Sequence, residues 1–107
     1  MKTFEVNGKK YNSRPFDFNL VCDLEEMGVN LESASKKPMS LLRSYFAICA
    51  NDSIEYAGNE MQKHIINGGS FDDLGNAMSD EMEKSDFFRS LSKTEETETQ
   101  QNQSEKK

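Results

Sequence analysis

The sequence predicts a small α+β domain: an N-terminal two-stranded β-hairpin packed on a bundle of about four α-helices, with a disordered C-terminal tail. Three observations predict it. Asn7-Gly8 sits between two short runs that alternate apolar and polar residues. Four later segments repeat apolar residues at helical spacing, each with its own start or stop signal. Residues 92–107 contain no hydrophobic residue at all.

The hairpin comes first. A two-residue type I′ turn needs positive φ at both central positions, which Asn tolerates and Gly adopts freely. Counting outward from the turn, Val6 faces Lys9, Glu5 faces Lys10, Phe4 faces Tyr11 and Thr3 faces Asn12. Phe4, Val6 and Tyr11 then share one face, with Glu5 and Lys10 paired on the other. Two strands are not stable alone in water, so helices must cover the apolar face.

After Pro15, Asp17 or Asn19 caps a first helix whose stripe is Leu20, Val21, Leu24 and Met27. Gly28 stops it in a left-handed conformation, and Val29 folds back over the end. Residues 30–37 form a polar connection, after which Pro38 starts a second helix. Over residues 39–50, Met39, Leu41, Leu42, Tyr45, Phe46, Ile48 and Cys49 occupy nearly the whole circumference, the pattern of a central buried helix. Asp52-Ser53-Ile54-Glu55 reads as a capping box with Asp52 at the cap. The third helix follows, with Ile54, Ala57, Met61 and Ile65 on one stripe, and Asn67-Gly68-Gly69 ends it. Ser70 caps a fourth helix bearing Phe71, Leu74, Ala77, Met78 and Met82, which continues through Phe87, Phe88 and Leu91 after a break at Ser85-Asp86. Phe4, Tyr11, Leu20, Leu24, Leu42, Phe46 and Met61 are the expected core. Residues 1–91 make one domain. Residues 92–107 cannot offset their ordering entropy by burial and are expected to be disordered.

Bulk properties narrow the function classes. The chain has 107 residues and a net charge of −6, which argues against nucleic acid, because neutralising phosphates requires clustered Lys and Arg. No apolar run approaches the roughly 20 residues of a membrane span, and the N-terminus lacks the apolar stretch of a signal peptide, so a cytoplasmic protein is expected. In that reducing compartment Cys22 and Cys49 are expected as buried free thiols. The charge is unevenly spread. Lys2, Lys9, Lys10 and Arg14 against Glu5 leave +3 at the start, whereas Asp72, Asp73, Asp80, Glu81, Glu83 and Asp86 against Lys84 leave −5 near the end. This predicts two oppositely charged ends, read either as solvated faces or as a basis for self-association or a charged protein partner.

No catalytic constellation, cofactor site or metal site is legible. The lone His64 lies beside Ile65 and Ile66 at a helix C-terminus, where it suits packing or the helix dipole better than base catalysis. Gly68-Gly69 has no preceding strand and no following Lys-Ser/Thr, so it ends a helix and is not a phosphate loop. The acidic run lacks the pattern of a calcium loop, and two separated cysteines do not make a zinc site. What remains is a partner-binding surface formed by Leu74, Met78, Met82, Phe87, Phe88 and Leu91, set against ordinary core packing as the alternative. Flexible Met and Phe ringed by charge suit recognition of apolar helices, and two adjacent phenylalanines cannot both face one core.

Residues 1–28, the Lys37-Pro38-Met39 helix start, residues 60–69 ending in Lys63-His64-Ile65-Ile66-Asn67-Gly68-Gly69, and Glu81-Met82-Glu83-Lys84-Ser85-Asp86-Phe87-Phe88-Arg89 carry a resemblance. Across about the first 91 residues the chain resembles small tail assembly chaperones of long-tailed, siphovirus-type phages and prophages of Gram-positive bacteria. The resemblance implies a non-enzymatic protein of the bacterial host cytoplasm. Such a protein binds the long helical tape measure protein, keeps it soluble, helps recruit tail tube subunits and is absent from the finished tail. Two other classes fit the residues: a structural tail completion or connector protein, and a small acidic inhibitor of a host defence protein.

Overall fold

The computed structural model describes residues 2–30 and 38–90. Strand β1 (Thr3–Val6) pairs antiparallel with β2 (Lys9–Asn12) in the register the Asn7-Gly8 turn predicts: Val6 opposite Lys9, Phe4 opposite Tyr11 and Thr3 opposite Asn12. Asn7 and Gly8 have φ of 53° and 79°, as the primed turn requires. Phe4 and Val6 are buried and Tyr11 is half-buried, so the hairpin has one covered face.

Helix α1 (Phe18–Glu26) is capped by Asp17, whose carboxylate accepts the Leu20 N–H at 2.9 Å. Its end closes as expected: the Val29 N–H reaches back to the Leu24 carbonyl at 2.8 Å, and Val29 is buried. Helix α2 (Pro38–Ala50) is the centre of the fold, touching α1, α3, α4 and β2. It is not apolar-facing all round. Leu41, Tyr45, Phe46 and Ala47 are buried and Leu42, Ile48 and Cys49 half-buried, but Met39 is 61% exposed. Met39 lies in the first turn, at the edge of the packed region.

Helix α3 (Ile54–Ile66) starts one residue later than the capping-box reading places it. Ser53 is the cap, accepting the Tyr56 N–H at 3.0 Å, while the Asp52 carboxylate bonds only the Ser53 N–H. Both side chains are competent acceptors, and the backbone geometry at Ser53 decides between them. Helix α4 (Asp72–Lys84) shows the same shift: Phe71 holds the cap position without a side-chain bond, and Ser70 only approaches the Asp72 N–H at 3.4 Å. After Ser85 the chain makes one further short helical turn over residues 86–90.

The core is built on aromatic rings. Phe46 of α2 meets Tyr11 edge-on at 4.8 Å and Phe4 at 6.1 Å, while Phe4 and Tyr11 stack across the hairpin at 5.8 Å. The adjacent Tyr45 stacks on the fully buried Phe16 at 5.2 Å. Leu20, Leu24 and Met61 join this core as predicted, whereas Tyr11 and Leu42 stay half-buried at its edge. Cys22 and Cys49 are free thiols and only half-buried.

Buried polar groups fasten the hairpin to the helices. The Asn7 N–H donates to His64 Nδ1 at 2.9 Å, so the imidazole proton sits on Nε2, which donates to the Ser70 carbonyl at 2.8 Å. Glu60, buried on α3, accepts from Asn7 Nδ2 at 3.2 Å and lies 3.7 Å from Lys9 Nζ. At the other end of the hairpin, the buried Ser13 hydroxyl donates to Glu81 and accepts the Lys2 N–H at 2.9 Å. Every buried carboxylate here has a donor, which is the condition for tolerating it. Residues 92–107, and with them the expected tail, lie outside the described residues.

Candidate interaction surface

The chain break at Ser85 builds one end of the molecule. Its hydroxyl donates to the Phe16 carbonyl and accepts the Phe88 N–H at 2.9 Å, so one serine both docks the end of α4 on the segment before α1 and starts the turn over residues 86–90. That turn sends its two phenylalanines in different directions. Phe88 packs edge-on against buried Phe16 at 5.4 Å and belongs to the core margin. Phe87 meets Phe18 edge-on at 5.7 Å, and Phe18, the first residue of α1, is 63% exposed. The two rings form an aromatic knob beside the carboxylates of Asp17 and Asp86, the latter bonded to Arg89 at 2.7 Å.

The six residues expected to bind a partner therefore separate. Leu74 and Met78 are buried, because the apolar stripe of α4 is consumed within the chain by β1 and α2. Met82 and Phe88 are half-buried against the same core, and Leu91 lies outside the described residues. Phe87 is itself half-buried, and of the set it is the one that packs on an exposed ring, that of Phe18. An amphipathic stripe looks the same in sequence whether its cover comes from the same chain or from another.

Among the described residues the exposed large apolar side chains are Phe18, Met39, Ile65 and Ile66; Met39 and Ile65 are thus outside the buried stripes on which their spacing places them. Met39 belongs to a second feature. Helices α2 and α3 run antiparallel about the connection at residues 51–53, and a groove of about 250 Å³ lies between the start of α2 and the second half of α3. Met39, Arg43, Gly58, Met61, Gln62 and Phe71 line it.

No family model, curated protein or solved structure matches this chain.

Charge is arranged differently from the sequence expectation. Helix α4 packs on β1, so the acidic helix and the basic hairpin are neighbours and not opposite ends of the body. Lys84 Nζ lies 3.1 Å from Asp80, and this hydrogen bond, with the nearby charge of Lys2, holds the Asp80 carboxyl below the usual carboxylate range. The two oppositely charged segments thus share one side of the fold. A broader open cleft, about 580 Å³, is lined by Arg14, Asp23, Glu26, Met27, Asn51 and Asp52. Among the described residues no group of three or more His, Cys, Asp or Glu side chains is arranged to hold a metal ion. No helix among them is long and apolar enough to cross a membrane. His64 has both ring nitrogens hydrogen-bonded, and burial pushes the Cys49 thiol up to about 11, which keeps it neutral at about pH 7.

Proposed function

We propose that this chain is a tail assembly chaperone of a long-tailed phage or prophage, acting in the bacterial host cytoplasm. It binds the tape measure protein, keeps it soluble and helps bring tail tube subunits to it. The observation that carries the reading is the exposure of Ile66, Phe18 and Met39, at 70%, 63% and 61%, on a body whose own core is already closed by other residues. Large exposed apolar side chains on a small acidic protein suit reversible cover of a client with apolar helical stripes, and the net charge of −6 keeps the loaded chaperone soluble. The sequence resemblance supplies the identity of that client. The rival reading as an acidic decoy draws less support, because Lys84 and Lys2 offset the acidic helix locally.

The test is co-expression with the tape measure protein encoded beside it. The wild-type chain raises the soluble fraction of the client, and the double variant Phe18→Asp/Phe87→Asp, once shown to melt like the parent, raises it less. A client that is equally insoluble with and without the wild-type chain sinks the proposal.

A further inference from the structure

The α2–α3 groove is separate from the Phe18–Phe87 knob and has a chemical character of its own. Met39, Met61 and Phe71 make its walls apolar, and Gly58 leaves the α3 backbone open at its floor. A Cβ at Gly58 would meet only the Arg43 Cδ, at 3.5 Å, so the stem of Arg43 lies across the glycine and carries its guanidinium to the groove rim. Arg43 has no hydrogen bond, ion pair or ring contact among the described residues. It is the charged residue of the lining, and its charge is opposite to that of the chain as a whole.

We infer that this groove docks an amphipathic helix of a partner protein, its apolar stripe lying on exposed Met39 and the open part of Phe71, with buried Met61 behind them, and a carboxylate beside that stripe meeting Arg43. A groove between two antiparallel helices accepts a third helix by the ordinary meshing of side-chain ridges. Ile65 and Ile66 continue the apolar surface past the groove. Residues 92–107 of the chain itself do not fit, since they contain no hydrophobic residue. The site rests on the chaperone reading only for the name of the client; the recognition chemistry follows from the lining.

The experiment uses the full chain and three synthetic 18-residue helical peptides with fluorescent labels. One carries leucines at i, i+3, i+4 and i+7 with a flanking Glu; the second has Lys in place of that Glu; the third has the same composition with the leucines scrambled. Fluorescence anisotropy should show the Glu peptide binding about fivefold tighter than the Lys peptide, the scale of an exposed charge pair. Arg43→Glu should reverse that order. Gly58→Leu fills the floor and Met39→Asp places a charge on the wall, and each should weaken the Glu peptide about tenfold or more. Met39 is exposed in the first turn of α2, so its replacement leaves the fold intact. Equal binding of all three peptides, unchanged binding by both variants, or peptide-induced NMR shifts confined to Phe18 and Phe87 would overturn the inference. Self-association of the chain that Gly58→Leu abolishes would assign the groove to a second copy and overturn it too. Peptide binding as predicted, with no binding of the tape measure protein, would leave the groove assignment standing and remove the chaperone reading.

Discussion

The Tyr45 hydroxyl accepts the backbone N–H of Arg14 at 2.8 Å and donates to the carbonyl of the same residue at 2.7 Å. Arg14 lies in the stretch between β2 and α1, where no ladder or helix supplies backbone partners. One phenol on the central helix therefore satisfies both backbone polar groups of a residue in this irregular stretch, while its ring stacks on Phe16.

Tyr45→Phe keeps that stacking and removes both bonds. Leaving the Arg14 N–H and carbonyl without partners is expected to cost about 1–3 kcal/mol, a fall in Tm of several degrees for a domain of this size. Tyr56→Phe, which loses one bond to Tyr11 at a half-exposed site, should cost less. Thermal melts of the two variants side by side check the order, and equal losses would contradict the role given to Tyr45.

Phe46→Ala removes the ring that both hairpin aromatics pack against. A cavity of that kind costs about 3–5 kcal/mol, a large share of the stability of a domain of about 5–15 kcal/mol. Met39→Ala, at an exposed site, should stay within about 0.5 kcal/mol. Urea unfolding midpoints measure both.

Stability should fall on the alkaline side. Cys49 is raised from about 9 to about 11, mainly by burial, so its neutral form is favoured in the folded state. Its contribution is complete below pH about 9, where the thiol is neutral in both states, and is lost as pH rises through 9 to 11 and the unfolded thiol ionises first. The phenols of Tyr45 and Tyr11 are also pushed up, mainly by burial, and act in the same direction from about pH 10. Tm measured from pH 8 to 11 should decline, and less steeply in Cys49→Ala. A flat profile would show that these groups are more open to water than their packing indicates.

Two glycines should respond in opposite directions to alanine. Gly75 is inside α4 with nothing within 4 Å of an added Cβ, so Gly75→Ala should stabilise by about 0.5–1 kcal/mol through helix propensity. At Gly69 a Cβ would come within 2.5 Å of the His64 ring, which hydrogen bonds hold at both nitrogens. Gly69→Ala must displace that ring from the Asn7 turn and should destabilise. Denaturant midpoints with unchanged m values would establish both effects as changes in stability.

By itself the sequence determined the local structure, because local structure depends on residues a few positions apart. The Asn7-Gly8 turn fixed the hairpin register, Asp17 and Gly28 bounded α1, and Pro38 and Asn67-Gly68-Gly69 marked where α2 begins and α3 ends. At Asp52-Ser53, where two neighbouring residues offered equivalent caps, backbone geometry settled a one-residue shift, and at Ser70-Phe71 the cap position fell on a side chain with no acceptor. Only the tertiary structure decided which apolar residues were left over. Leu74 and Met78 found partners on β1 and α2 and went inside, whereas Phe18, Met39, Ile65 and Ile66 did not. The polar contacts that hold the hairpin were equally hidden, since Asn7–His64, Asn7–Glu60 and Ser13–Glu81 join residues 57, 53 and 68 positions apart. Burial is a property of the assembled surface and not of a segment: each helix carries its own apolar stripe, but which stripe meets another is set by long-range packing that no local spacing records.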